Sequence, residues 1–222
     1  LNSSSIRTLR IYPLAPNLVA PVTTPGITAQ IVYVGDGSVE ALEGINVTGK
    51  ILLMDYNTGW NWLNALRYGA KGVIFIEPET IHMNPPTLSI PVKFLRFLMP
   101  REDAEILLRE LEKNPDMKVH IVSKVVWEKR DGYNIYGFVK GEHQSRFLII
   151  SARYDSASVV PSLSPGANEA VGISILLELA RFFTKNKPFY NIVFVAFSGH
   201  HQALTGSRWF AEHLFQSDER LD

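Results

Sequence analysis

The sequence has no cysteine, which removes disulfide scaffolds, Cys-ligated zinc and thiol nucleophiles together. This absence does not fix a compartment: a chain of 222 residues with 46% hydrophobic side chains can bury a core without covalent staples. Charge of one sign is missing too, since 22 Lys and Arg balance 22 Asp and Glu. The long basic face of a nucleic-acid binder is therefore not expected. No apolar run reaches the ~20 residues that cross a bilayer, and the longest candidate, residues 173–183, is interrupted by Glu178 and Arg181. An initiator Met, a basic n-region and a signal-like stretch are all absent around Leu1, and the chain reads as part of a longer protein. Gly-x-Ser-x-Gly, a phosphate loop and His-Glu-x-x-His are missing as well, which argues against a serine hydrolase, a nucleotide enzyme and a single-zinc protease.

What is present changes character along the chain. Pro and Gly are dense before Gly59, a pattern of short strands joined by tight turns. Strands are expected at 31–34, 50–54, 73–76 and 119–126. A helix is expected at 60–68, stopping at Gly69, and an amphipathic one at 100–111 with Pro at its start. Composition and pattern then shift together near 125–130. Beyond lie apolar strands at 134–139 and 147–152, joined across Gly141. A helix at 169–184, apolar almost all round, reads as buried against a sheet. The uninterrupted run 192–197 fits a strand covered on both faces, and 207–215 returns to helical spacing. Strand, helix, strand, helix at these lengths predicts a βαβ crossover.

Two stretches resemble known families. Val47-Thr48-Gly49-Lys50-Ile51-Leu52-Leu53, Tyr68-Gly69-Ala70-Lys71-Gly72-Val73-Ile74 and Ser89-Ile90-Pro91-Val92 resemble a protease-associated (PA) domain. Ser151-Ala152-Arg153-Tyr154-Asp155-Ser156, Pro165-Gly166-Ala167-Asn168-Glu169, Leu176-Leu177-Glu178 and Leu204-Thr205-Gly206-Ser207 follow in order. Together these four resemble the co-catalytic zinc exopeptidases, the family of bacterial leucyl aminopeptidase, glutamate carboxypeptidase, transferrin receptor and nicastrin. The resemblance implies an α/β protein: a β-rich PA-type domain over 1–125, then, over 126–222, part of a mixed, mainly parallel α/β sheet of the zinc aminopeptidase type.

It also implies a site, and the residues depart from it. Two-zinc hydrolysis uses His and carboxylate ligands, a bridging carboxylate and a carboxylate base. Arg153 stands where the family has a zinc-binding His, and a guanidinium has no lone pair to offer a metal. Asp155 keeps the family's orienting Asp. Glu169 takes the place of the bridging Asp when counted from Pro165, whereas Asn168 matches when counted back from Gly172. A simpler reading makes Asn168 a helix N-cap and Glu169 a first-turn carboxylate. The family's general base and next ligand, a Glu pair, are replaced by His200 and His201. His201 could ligate zinc and His200 could move a proton. Arg153, Asp155, Glu169, His200 and His201 are expected to converge, with Arg153 paired to Asp155 or Glu169 in place of metal charge.

The resemblance thus implies an altered or non-catalytic relative, a pseudoenzyme that binds peptide or protein partners, extracellular or at the cell surface. Any membrane anchor would lie outside this chain. No cofactor is expected, with zinc required only if an active metallo-aminopeptidase or carboxypeptidase is completed from elsewhere. A structural ectodomain is the third reading. His82, His120, His143 and His213 stand isolated and read as solvated or locally satisfied. Trp60, Trp62, Tyr56 and Tyr68 read as core before aromatic surface. Asn46-Val47-Thr48 spells an N-glycosylation acceptor, which has meaning only for a chain made in a secretory pathway.

Overall fold

The computed structural model describes residues 6–14, 22–79, 92–126, 128–157, 160 and 167–216. The expected Ser89-Ile90-Pro91 strand, the Pro165-Gly166 turn and His82 lie outside these. The chain divides into two compact units, Leu1–Trp127 with Ser158–Leu163, and Glu128–Ala157 with Ser164–Asp222.

The first unit is built on one mixed sheet of six strands. In chain order its elements are β1 (Tyr12–Pro13), β2 (Thr24–Tyr33), β3 (Ile51–Asp55), α1 (Trp62–Arg67), β4 (Gly72–Ile76), β5 (Leu95–Met99), α2 (Arg101–Lys113) and β6 (Lys118–Ser123). The strand order is β1-β5-β4-β3-β2-β6, parallel from β2 to β5 and antiparallel at both edges. Strands β3 and β4 are buried on both faces, which is why Ile51-Leu52-Leu53-Met54 and Val73-Ile74-Phe75 are continuous apolar runs. Alternation sorts them into two cores: Leu52, Met54, Val73 and Phe75 pack with Trp62 and Ala65 of α1. Ile51, Leu53 and Ile74 pack with Ala104, Leu107 and Leu111 of α2. Among the described residues before 60, β1 and β3 are short and tight turns lie at 35–36 and 48–49, as the Pro and Gly content suggested; β2 is the exception. β2 runs for ten residues, and turns fill the path to β3, because a parallel neighbour needs a crossover and not a hairpin.

Helix α1 ends as its sequence predicts. Gly69 takes a left-handed φ of +78°, with its N–H on the Leu66 carbonyl and the Ala70 N–H on the Ala65 carbonyl, a Schellman closure. The aromatic group splits: Trp62 and Tyr56 are core, while Trp60 and Tyr68 are exposed. Trp62 stacks on Phe94, and the buried Arg96 guanidinium lies 4.8 Å over the Trp62 ring. Burial pulls that guanidinium down to about 10, still a cation at neutral pH.

The second unit holds β7 (Ile135–Val139), β8 (His143–Arg153), α3 (Ala167–Lys185), β9 (Tyr190–Phe197) and α4 (Thr205–Gln216). Strands β7 and β8 follow each other across Gly141 yet do not pair. β9 lies between them, antiparallel to β7 and parallel to β8, giving the order β7-β9-β8. Six consecutive β9 residues, 191–196, are buried, as expected of a central strand. Helix α3 corrects its expectation. Leu176 is buried and Ile173, Leu179, Ala180 and Phe183 pack towards the sheet, whereas Val171, Ile175, Leu177 and Phe182 are exposed. An all-round apolar helix is buried only where something covers its second side.

Tyr56 offers a test of the first core. Its buried hydroxyl has no hydrogen-bond partner among the described residues, and burial pushes the phenol up to about 12. The folded chain therefore keeps this proton when the unfolded chain loses it, so stability falls as pH rises from about 10 to about 12. Tyr33 adds in the same direction and Arg96 opposes it, so the informative quantity is a difference. Removing an unpaired buried hydroxyl is expected to leave stability unchanged or raise it by ~1 kcal/mol. Denaturant unfolding of Tyr56→Phe at neutral pH and at pH 11 is expected to show a gain over wild type that widens at the higher pH.

Candidate functional site

Chemistry in the second unit gathers where β8 and β9 end side by side, the carboxyl ends at which parallel sheets hold their sites. The register pairs Arg153 with Phe197, and the Tyr154 N–H continues the ladder to the Phe197 carbonyl at 3.0 Å. After β9 the chain enters a tight loop, residues 198–204, before α4. Gly199 is left-handed at φ +66°, and so are Ala203 at +57° and Leu204 at +58°, two residues for which that region costs about 1–2 kcal/mol each. Hydrogen bonds at both ends and in the middle hold the loop. The Asp155 carboxylate accepts the His200 N–H through Oδ2 at 2.8 Å. The Gly199 carbonyl accepts the Thr205 N–H at 3.0 Å. Asn134 clamps both ends, accepting the Ser198 N–H at 3.3 Å and donating to the Gly206 carbonyl at 2.9 Å. A side chain at Gly206 would lie 2.1 Å from the Ser198 carbonyl oxygen, so the clamp closes only on glycine.

This frame brings Arg153, Asp155, His200 and His201 together. The Arg153 Nη1 lies 3.2 Å from the His201 Nε2. A guanidinium only donates, so Nε2 must accept, which leaves the His201 hydrogen on Nδ1. The two imidazoles meet edge to face at 5.0 Å. Among the described residues Asp155 is engaged by the His200 amide and not by Arg153, and its buried Oδ1 has no partner. A cleft of about 300 Å³ opens beside them, walled by Ser151, Arg153, Phe197, Ser198, His200 and Leu204. Asn168 and Glu169 fall in the first turn of α3, and their side chains lie outside the described residues. Since α3 starts at Ala167, Asn168 is a helical residue and not the cap.

Residues 134–221 match Peptidase family M28. The match falls within the second unit, which is similar to a zinc-exopeptidase-like domain of that family. Over 211 residues the chain is 28% identical to aminopeptidase YwaD of Bacillus subtilis, covering 90% of this chain and 43% of that protein. It is 35% identical over 85 residues to a probable zinc metalloprotease of Pyricularia oryzae, 36% of this chain and 17% of the relative. The BOS complex subunit NCLN of Gallus gallus is 38% identical over 82 residues, 33% of this chain and 15% of the relative. Among solved structures, a zinc aminopeptidase from Bacillus subtilis aligns with a TM-score of 0.55 at 24% identity, over 96% of this chain and 51% of the other. The peptidase M28 precursor from Shewanella amazonensis gives 0.53 at 18%, over 96% and 53%. These structural likenesses concern the fold: mixed α/β, of the zinc aminopeptidase kind. The chain spans less than half the length of YwaD and about half that of the aligned structures.

The relatives' names raise a test of fit for zinc. Among the described residues no three of His, Asp and Glu converge closely enough to hold a metal ion. Arg153 at the end of β8 carries a guanidinium, which has no lone pair for a metal and engages the Nε2 lone pair of His201. Asp155 is committed to the loop backbone. The described residues do not fit a two-zinc centre. The remaining described histidines serve locally: His120 meets Thr28, His143 lies tilted against Phe189 at 4.2 Å, and His213 stacks on Trp209. Two site residues escaped sequence reasoning. Asn134 read as a strand start, and Gly206 only as a motif marker, although a polar residue opening an apolar strand was a usable signal.

The loop's strain is testable. Ala203→Gly removes the left-handed cost of a Cβ against a smaller loss of chain entropy, for an expected gain of up to ~1 kcal/mol. Asp155→Ala strands the His200 amide and is expected to cost about 1–3 kcal/mol. Chemical denaturation of both variants against wild type checks the pair.

Proposed function

We propose that the chain is a non-catalytic or strongly altered relative of the PA-containing zinc exopeptidases, and that it binds peptide or protein partners outside the cell or at its surface. The observation that carries this reading is the contact of Arg153 with His201. In place of a ligand pair stands a fixed cation whose Nη1 donates to the His201 Nε2. The reading treats the first unit as the PA-type domain that its Gly-Ala-Lys-Gly-Val-Ile segment resembles. A relative described as a subunit of the BOS complex supports a binding role for this fold. Relatives described as an aminopeptidase and as zinc metalloproteases support the competing one, an active metallopeptidase.

In the proposed role the cleft beside Arg153 and His200 takes a segment of a partner. Phe197 and Leu204 supply apolar surface, and the Ser151 and Ser198 hydroxyls supply polar contacts. The β8–β9 frame holds this cleft open without metal, because Asp155 and Asn134 tie its loop to the backbone.

After incubation with excess zinc and desalting, the full chain is expected to retain well under two equivalents by elemental analysis. Arg153→His, which returns a nitrogen ligand and frees His201, is expected to retain more. Two tightly held equivalents on the unsubstituted chain, or peptide hydrolysis by it that a chelator abolishes, would overturn the proposal.

A further inference from the structure

In the first unit, the turn leading into β3 holds Asn46-Val47-Thr48 in one conformation. The Asn46 Oδ1 accepts the Thr48 N–H at 3.1 Å, and the Thr48 hydroxyl donates to the Tyr68 carbonyl at 3.2 Å. Val47 between them is buried in the core, and its carbonyl accepts the Lys50 N–H at 3.1 Å. Asn46 itself is exposed. With Oδ1 committed to the turn, the carboxamide presents its Nδ2, which has no partner among the described residues. Beside it opens a cleft of about 620 Å³ lined by Val39, Glu40, Glu43, Ile45 and Tyr68. Tyr68 is 47% exposed and Val39 55% exposed.

These features suit one ligand class. The flat CH face of a pyranose packs on an aromatic ring by dispersion. Carboxylates accept hydrogen bonds from the sugar's hydroxyl and acetamido groups. Such a sugar attached at Asn46 would lie against Tyr68 and Val39 with Glu40 and Glu43 in reach. We propose that Asn46 is an N-glycan attachment site whose first sugar, an N-acetylhexosamine, sits in this cleft. In the attachment step the carboxamide Nδ2 displaces the pyrophosphate of a lipid-carried, activated oligosaccharide at the sugar C1. A C–N bond forms, the C1–O bond breaks, and one amide proton leaves with the departing pyrophosphate. The inference rests on the extracellular reading only for its physiological setting.

The test directs the full chain into a eukaryotic secretory lumen with an added signal peptide. Asn2-Ser3-Ser4 spells the same acceptor pattern, so Asn2→Gln is the background throughout. The secreted protein is expected to lose the mass of one glycan on peptide-N-glycosidase treatment, with Asn46 converted to Asp. Asn46→Asp keeps the Oδ1 acceptor of the turn and removes the nucleophilic nitrogen, so it is expected to fold and to lack the glycan. Tyr68→Ser is expected to keep the glycan but lose the thermal stabilisation it gives over the enzymatically deglycosylated form. An unoccupied Asn46 in folded, secreted chain overturns the attachment site. A glycan whose removal leaves Tm unchanged, with Tyr68 intact and in the Tyr68→Ser variant alike, overturns the seat in the cleft. Where the native chain resides is read separately, by fractionation of its source cells.

Discussion

Parallel strands cannot be joined by a hairpin, and the crossover from β8 through α3 to β9 governs the second unit. It lines up the ends of two strands that are far apart in sequence, so that Arg153 and Phe197 are neighbours and their following loops must share one small space. Burial of β9 on both sides makes the register costly to slip, because a shift by one residue would exchange its two sets of apolar side chains between faces. The position of every polar group at the site follows from that pairing. Asp155 reaches the His200 amide because β8 stops where it does, and Arg153 reaches His201 because the loop folds back through its left-handed residues.

Charge at this place is carried by the protein itself. A metal centre draws its cation from solution and can lose it, whereas a guanidinium remains charged throughout the physiological range. The described groups around Arg153 accordingly differ from what zinc would select. The His201 Nε2 faces the guanidinium, and the Asp155 carboxylate turns to a backbone amide. Among the described residues, the loop that carries the histidine pair is held by side-chain and backbone hydrogen bonds.

Much of this was legible in the residues. The buried runs of β3, β4 and β9 announce themselves because a strand covered on both faces needs apolar side chains at every position. Gly69 marks the end of α1 because only glycine takes its left-handed φ without a Cβ penalty. Motif order also brought Arg153, Asp155 and the histidine pair into one neighbourhood. Strand order was not legible: Gly141 joins β7 to β8, but pairing is decided by which faces need covering, and β9 takes the middle. The exposed side of α3 was missed for a related reason, since hydrophobicity of Val171, Ile175 and Phe182 does not say whether a cover exists. Within the site, Ala203 and Leu204 carry no sign of their backbone angles. No Gly or Asn marks them, and only the clamps at either end force the turn.

The Asn134 clamp joins residues 64 and 72 positions away along the chain. Contacts of that separation form late, after the entropy of a long closed loop has been overcome by the sheet around it. The histidine pair thus acquires its geometry only when β7, β9 and the start of α4 have all arrived. Loss of that one carboxamide would loosen the two ends of the loop, which Asp155 and the Thr205 amide still hold, while leaving the buried strand beneath it in place, so the site can open locally before the fold does.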